Sequence, residues 1–95
     1  MHANQATLHF DKAISHAIWP TDGDQKRVVP VAAGQTIRQA LEAEGIRLPR
    51  ATIALVKPQG ASSGLTSDLN HVLQPGDTVR FLFQISGGSV YVRES

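Results

Sequence analysis

Polar and apolar side chains alternate in Thr7-Leu8-His9-Phe10, the period of a strand with one buried face, and Leu8 and Phe10 are its inward pair. Over residues 11–26 the alternation stops. Trp19-Pro20 and Thr21-Asp22-Gly23-Asp24 carry turn chemistry, so a long loop or irregular hairpin is expected there. Arg27-Val28-Val29-Pro30-Val31 is β-branched and returns to strand character, but Pro30 has no N–H for a ladder, which restricts it to an edge or a strand end; an edge strand fits best. After Gly34, Thr36 and Gln39 have the spacing of a capping box, in which the Thr hydroxyl accepts from the Gln N–H and the Gln side chain reaches back. Ile37, Ala40 and Leu41 then fall on one helical face, and Gly45 supplies a left-handed stop. A helix that short is marginal in water and must lie on a sheet.

Thr52-Ile53-Ala54-Leu55-Val56 is nearly continuous in apolar residues, as in a central strand covered on both faces, or on one face plus a partner. Residues 57–64 are rich in turn formers, and residues 65–73 have room for a very short strand and a helical turn around Asp68-Leu69. Gln74-Pro75-Gly76-Asp77 has the type II turn signature, and it feeds the strongest strand pattern of the chain, residues 78–85. Val79, Phe81, Phe83 and Ile85 share one face of that strand, and Thr78, Arg80, Leu82 and Gln84 share the other. The order is strand, irregular segment, edge strand, helix, buried strand, loop region and long strand. A hairpin, a helix crossing one sheet face and a last strand returning beside the first is the β-grasp arrangement: an α+β fold with a mixed four- to five-stranded sheet and one main helix.

Composition narrows the function classes. With 95 residues, 41% of them hydrophobic, the chain supports one small core and no second domain. An enclosed multi-step active site would consume core that it lacks. There is no cysteine, which excludes a disulfide scaffold, a thiolate zinc site and a cysteine nucleophile. Nine Lys+Arg against eight Asp+Glu leave a net charge of +1 with no charge block, so no nucleic-acid or lipid footprint is expected. Partners are expected to be proteins. No cationic and then apolar leader stands at Met1-His2-Ala3, and no apolar run approaches a membrane span, so a cytoplasmic protein is expected.

Several local patterns have simpler explanations than chemistry. Gly60-Ala61-Ser62-Ser63-Gly64 has the spelling of a nucleophile elbow, but that device needs a strand, a strained turn and a helix in a much larger sheet; a flexible loop accounts for it. His2, His9, His16 and His71 include no i, i+4 pair and no carboxylate at evident ligand spacing, so no metal site is expected. Asp22-Gly23-Asp24 lacks the remaining ligands of a calcium loop. Arg47, Arg50 and Lys57 have no interleaved aromatics, and they read as a solvated face or a docking patch for an acidic partner.

Gly87-Gly88 stands apart because it follows the strongest strand. Two residues without Cβ form a lead thin enough to enter a narrow slot; alternatively they join the strand to one more, Ser89-Val90-Tyr91-Val92-Arg93, which itself alternates. The block Leu73-Gln74-Pro75-Gly76-Asp77-Thr78-Val79-Arg80-Phe81-Leu82, followed by Ile85-Ser86-Gly87-Gly88, resembles the C-terminal block of the MoaD/ThiS family of ubiquitin-like sulfur carriers. Gly34-Gln35-Thr36-Ile37-Arg38-Gln39-Ala40-Leu41 is similar to that family's strand-to-helix entry. The resemblance covers residues 6–88.

It implies a carrier domain over residues 1–88 and no enzyme activity in this chain. The Gly88 carboxylate would be adenylated by an E1-like partner that uses ATP, then converted to a thiocarboxylate that donates sulfur in biosynthesis. No cofactor would be bound by the chain itself; its partners would be that adenylating enzyme and the enzymes that supply and accept sulfur. Arg80, Leu82 and Gln84 are the candidate docking residues. The sequence departs from the family in continuing through residues 89–95, so the Gly88–Ser89 bond is a candidate processing site for a peptidase, or else the fold is kept without the chemistry. Residues 11–26 are also longer than the family's first hairpin and are a candidate partner-specific surface. Two other readings compete: a non-covalent interaction module with the tail as an added strand, and a modifier conjugated through Gly88.

Overall fold

The computed structural model describes residues 4–20 and 23–83. They form an α+β fold with five strands and two helices: β1 (Gln5–Phe10), α1 (Lys12–Ile18), β2 (Gln25–Pro30), α2 (Ile37–Ala43), β3 (Thr52–Lys57), β4 (Leu65–Ser67) and β5 (Thr78–Phe83). The sheet order is β2-β1-β5-β3-β4. β1 and β5 are parallel, and every other pair is antiparallel. β2 is an edge strand with Pro30 as its last residue, as the missing N–H requires.

Alternation sorts the sheet into two faces. Ala6, Leu8 and Phe10 of β1, Ala54 and Val56 of β3, and Val79 and Phe81 of β5 are buried in one cluster with Val29, Leu73, Ile14 of α1 and Ile37, Ala40 and Leu41 of α2. Both helices therefore cover the same face. Phe10 and Phe81 stack with centroids 4.9 Å apart, and Trp19 meets Phe10 edge-on at 5.1 Å while Arg27 lies over the indole at 4.9 Å.

α2 satisfies its backbone donors one by one. Thr36 Oγ1 accepts from Gln39 N–H, and Gln39 Oε1 accepts from Thr36 N–H, completing the capping box. Ile37 and Arg38 donate to the carbonyls of His71 and Leu69, so no free N–H remains in the first turn to attract an anion. At the other end Ile46 N–H reaches the Leu41 carbonyl and Gly45 N–H the Glu42 carbonyl, with Gly45 at φ +71°. This is a Schellman stop, and Ile46 packs onto the core beside it.

The segment over residues 11–26 corrects the expectation of a loop, and with it the expectation of one main helix. α1 forms there because Ala13 and Ala17 are strong helix formers and Ile14 and Ile18 stand four apart on the face that meets the core. The turn formers at residues 19–24 masked a seven-residue helix before them. Of the two arrangements that the apolar run of β3 allows, cover within the chain falls on one face: Ala54 and Val56 are buried, whereas Ile53 and Leu55 are only half-buried on the opposite face, where no described element packs. Among the described residues no helix is long and apolar enough to cross a membrane. Gln84, Ile85, the Gly87-Gly88 pair and the segment beyond it lie outside the described residues.

The turn before β5 is held from both sides. Asp77 N–H donates to the Gln74 carbonyl at 3.1 Å while Asp77 Oδ2 accepts from Gln74 N–H at 2.9 Å. Gly76 N–H donates to Gln5 and Thr7 N–H to Asp77, stitching the turn to β1. Gly76 has φ +87°, and a Cβ there would stand 2.7 Å from Gln59 Cβ. Gly76→Ala is expected to cost about 2 kcal/mol or more, from left-handed strain plus overpacking, read as a lower urea midpoint at unchanged m-value.

The Ser15 hydroxyl on α1 is fully buried and has no hydrogen-bond partner among the described residues. Ser15→Ala removes an unpaired polar atom and raises helix propensity. It is expected to stabilise by about 1 kcal/mol, a rise in Tm of about 4–8 °C for a domain of this size, measurable by calorimetry.

Candidate functional site

With both helices on one side, the other sheet face is the surface on which side chains remain available. Pairing across β1, β5 and β3 fixes its layout. His9 lies opposite Arg80 and Arg80 opposite Leu55, while Leu82 lies opposite Ile53. Leu82, Ile53 and Leu55 make a small apolar patch, each half-buried, beside the exposed Arg80. A groove of about 280 Å³ next to this patch is lined by His9, Leu55, Lys57, Thr78, Arg80 and Gly64.

Arg80 and Leu82 therefore share the open face, as alternation along β5 predicts. Ile53 and Leu55 were not among the expected docking residues. Their signal is the unbroken apolar run of β3, which suits a strand with one face on the core and the other left for a partner. Of the remaining candidates, Gln84, Gly87, Gly88 and Ser89 fall outside the described residues.

A polar group adjoins the apolar patch. Arg80 donates through Nε to Asp11 Oδ1 at 2.8 Å, and one of its terminal nitrogens lies 2.7 Å from the same oxygen. His9 Nε2 is 2.9 Å from Asp24 Oδ2. Asp11 is the N-cap of α1 yet makes no side-chain capping bond, since its carboxylate is turned onto the sheet instead. Ligand atoms of His9, Asp11 and Asp24 lie within 4.8 Å of one another. The expectation that no carboxylate stands at ligand spacing from a histidine is thereby corrected. His9-Phe10-Asp11 puts both polar residues on one face of an extended chain, a spacing of two that a search for helical pairs passes over.

Other polar groups have structural employment. His71 Nε2 lies 3.4 Å from the buried Asp77, whose main bond braces the turn before β5. Residues 60–64 join β3 to β4, and no helix follows them, so Ser62 and Ser63 stand on an exposed turn and not in a nucleophile elbow. Arg47 joins Arg38 around a groove of about 520 Å³ floored by Leu41, Ile46, Leu48 and Leu69, while Arg50 and Lys57 are exposed elsewhere.

Comparison with protein-family models, curated proteins and solved structures gives no match to this chain. The open face must be read on its own chemistry.

The Asp11–Arg80 pair joins the first and last described strands, but the Arg80 side chain is 52% exposed. Solvent screening limits its value. A double-mutant cycle with Asp11→Asn and Arg80→Met is expected to give a coupling of about 1 kcal/mol or less, falling as salt is added.

Proposed function

We propose that this chain is a β-grasp sulfur-carrier precursor whose Gly88 carboxylate, exposed by cleavage of the Gly88–Ser89 bond, carries sulfur. The observation that bears most weight is the position of β5. It runs between β1 and β3, with β1 parallel to it, and its last described residue is followed by Gln84-Ile85-Ser86 and then Gly87-Gly88. A central strand is anchored by ladders on both sides, so it is a firm base for a thin glycine lead. The order β2-β1-β5-β3-β4, with α2 across one face, is compatible with a β-grasp sheet and supports the reading.

The reaction falls to the partner enzyme. A carboxylate oxygen of Gly88 attacks the α-phosphorus of ATP and pyrophosphate leaves, giving an acyl-adenylate. A hydrosulfide-level sulfur donor then attacks the acyl carbon, AMP leaves, and the product is a thiocarboxylate. The carrier supplies the carboxyl group and a docking face. Leu82, Ile53 and Leu55, with Arg80 at their rim, make an apolar patch with a cationic edge that suits such docking. The same patch favours the second reading, a non-covalent interaction module.

Intact-mass spectrometry of the protein recovered from its own cells separates the readings. A carrier is expected to have lost residues 89–95, with a fraction heavier by the difference between sulfur and oxygen. Full-length protein while the pathway is active overturns it in favour of the interaction module. Denaturant-resistant conjugates of higher mass would instead indicate a modifier.

A further inference from the structure

We propose that His9, Asp11 and Asp24 form a site for a divalent transition metal, of the class that takes Zn²⁺ or Mn²⁺, at the Phe10–Gln25 end of the β1–β2 pair. One imidazole nitrogen and two carboxylate oxygens are a mixed donor set suited to these ions. An all-oxygen set would favour Mg²⁺ or Ca²⁺, and a thiolate set is excluded by the absence of cysteine. Metal–ligand distances of about 2.0–2.2 Å put tetrahedral ligand atoms about 3.4 Å apart. The three groups already stand within 4.8 Å, with His9 Nε2 and Asp24 Oδ2 at 2.9 Å, so side-chain rotation alone brings them into range.

Two further features point to a cation. The β1–β2 register pairs His9 with Lys26 and Phe10 with Gln25, and Asp11 follows β1 directly while Asp24 directly precedes β2. Like charges this close repel one another, and a cation between the two carboxylates relieves that repulsion. Asp11 also forgoes the capping bond that its residue type and position favour. Both Arg80 contacts end on Asp11 Oδ1. Arg80 thus stands as an outer-shell donor that fixes the carboxylate through Oδ1.

Metal binding would replace the His9–Asp24 hydrogen bond: the imidazole binds in its neutral form through Nε2 and carries its one ring proton on Nδ1. Lys26 and Arg80 flank the site as cations and hold the affinity to a moderate level. Asp24 is largely exposed, so water completes the coordination. The site would tie β1 to the residue preceding β2, and it does not depend on the sulfur-carrier reading.

The test uses the full chain, stripped with chelator and titrated separately with ZnCl₂, MnCl₂ and MgCl₂ by calorimetry and by thermal unfolding. One ion per chain and a Tm that rises with Zn²⁺ or Mn²⁺ are expected. His9→Ala and Asp24→Asn should each weaken binding at least tenfold while keeping the wild-type circular dichroism, and His71→Ala should bind as the wild type does. Amide shifts in the wild-type protein provide a readout that no variant's folding can confuse: Zn²⁺ should perturb residues around His9, Asp11 and Asp24 first. Absence of binding, equal binding by Asp24→Asn, a response to Mg²⁺ alone, or shifts centred on another histidine would each overturn the proposal.

Discussion

The pairing of β1 with β5 is the contact on which the other elements depend. Phe10 and Phe81, opposite one another in that parallel ladder, stack at 4.9 Å on the helix side, and Asp11 and Arg80 close the same ladder on the open side. These strands come from opposite ends of the described chain, so their union carries a loop-closure entropy that only burial on this scale offsets. Once made, it gives β2 a partner on one side and β3 a partner on the other, and it gives both helices the apolar floor that segments of seven residues need. The turn at residues 74–77 matters for the same reason. Its bonds to Gln5 and Thr7 set the register of β5 against β1.

Polar groups are divided between the two faces by the same constraint. On the helix side, Thr36, Gln39, His71 and Asp77 are occupied in closing helix donors and turns, so among the described residues that side holds fasteners and no metal-ligand cluster. On the open side no described layer covers the sheet, and His9, Asp11, Asp24 and Arg80 meet over strands whose positions the core fixes. A sheet covered on one face only leaves a rigid surface for binding.

Much of this was legible in the residues. Capping at Thr36 and Gln39, the stop at Gly45, the edge position of β2 and the two faces of β5 rest on local rules that the structure follows. What escaped was non-local or ambiguous in period. α1 was hidden because two isoleucines four apart do not outweigh the Pro and Gly that follow within a few residues. The open face of β3 was hidden because an unbroken apolar run does not say whether its second face meets a layer of the same chain. The His9, Asp11 and Asp24 cluster needed the β1–β2 register, which no short-range pattern reports.

Asp11 shows how the core and the open face are linked through single residues. Its backbone N–H continues the β1–β5 ladder by donating to Phe81, and its carbonyl accepts from Ser15 to begin α1. The side chain is then free to serve either the helix, as a cap, or the sheet. It serves the sheet, which leaves the first turn of α1 without side-chain capping at a position where that bond is ordinarily worth about 1 kcal/mol. Such a sacrifice is offset only partly by an exposed ion pair, whose usual value is smaller. The carboxylate is held on the open face, with Arg80 acting as its brace and β1 as the rail that keeps His9 beside it.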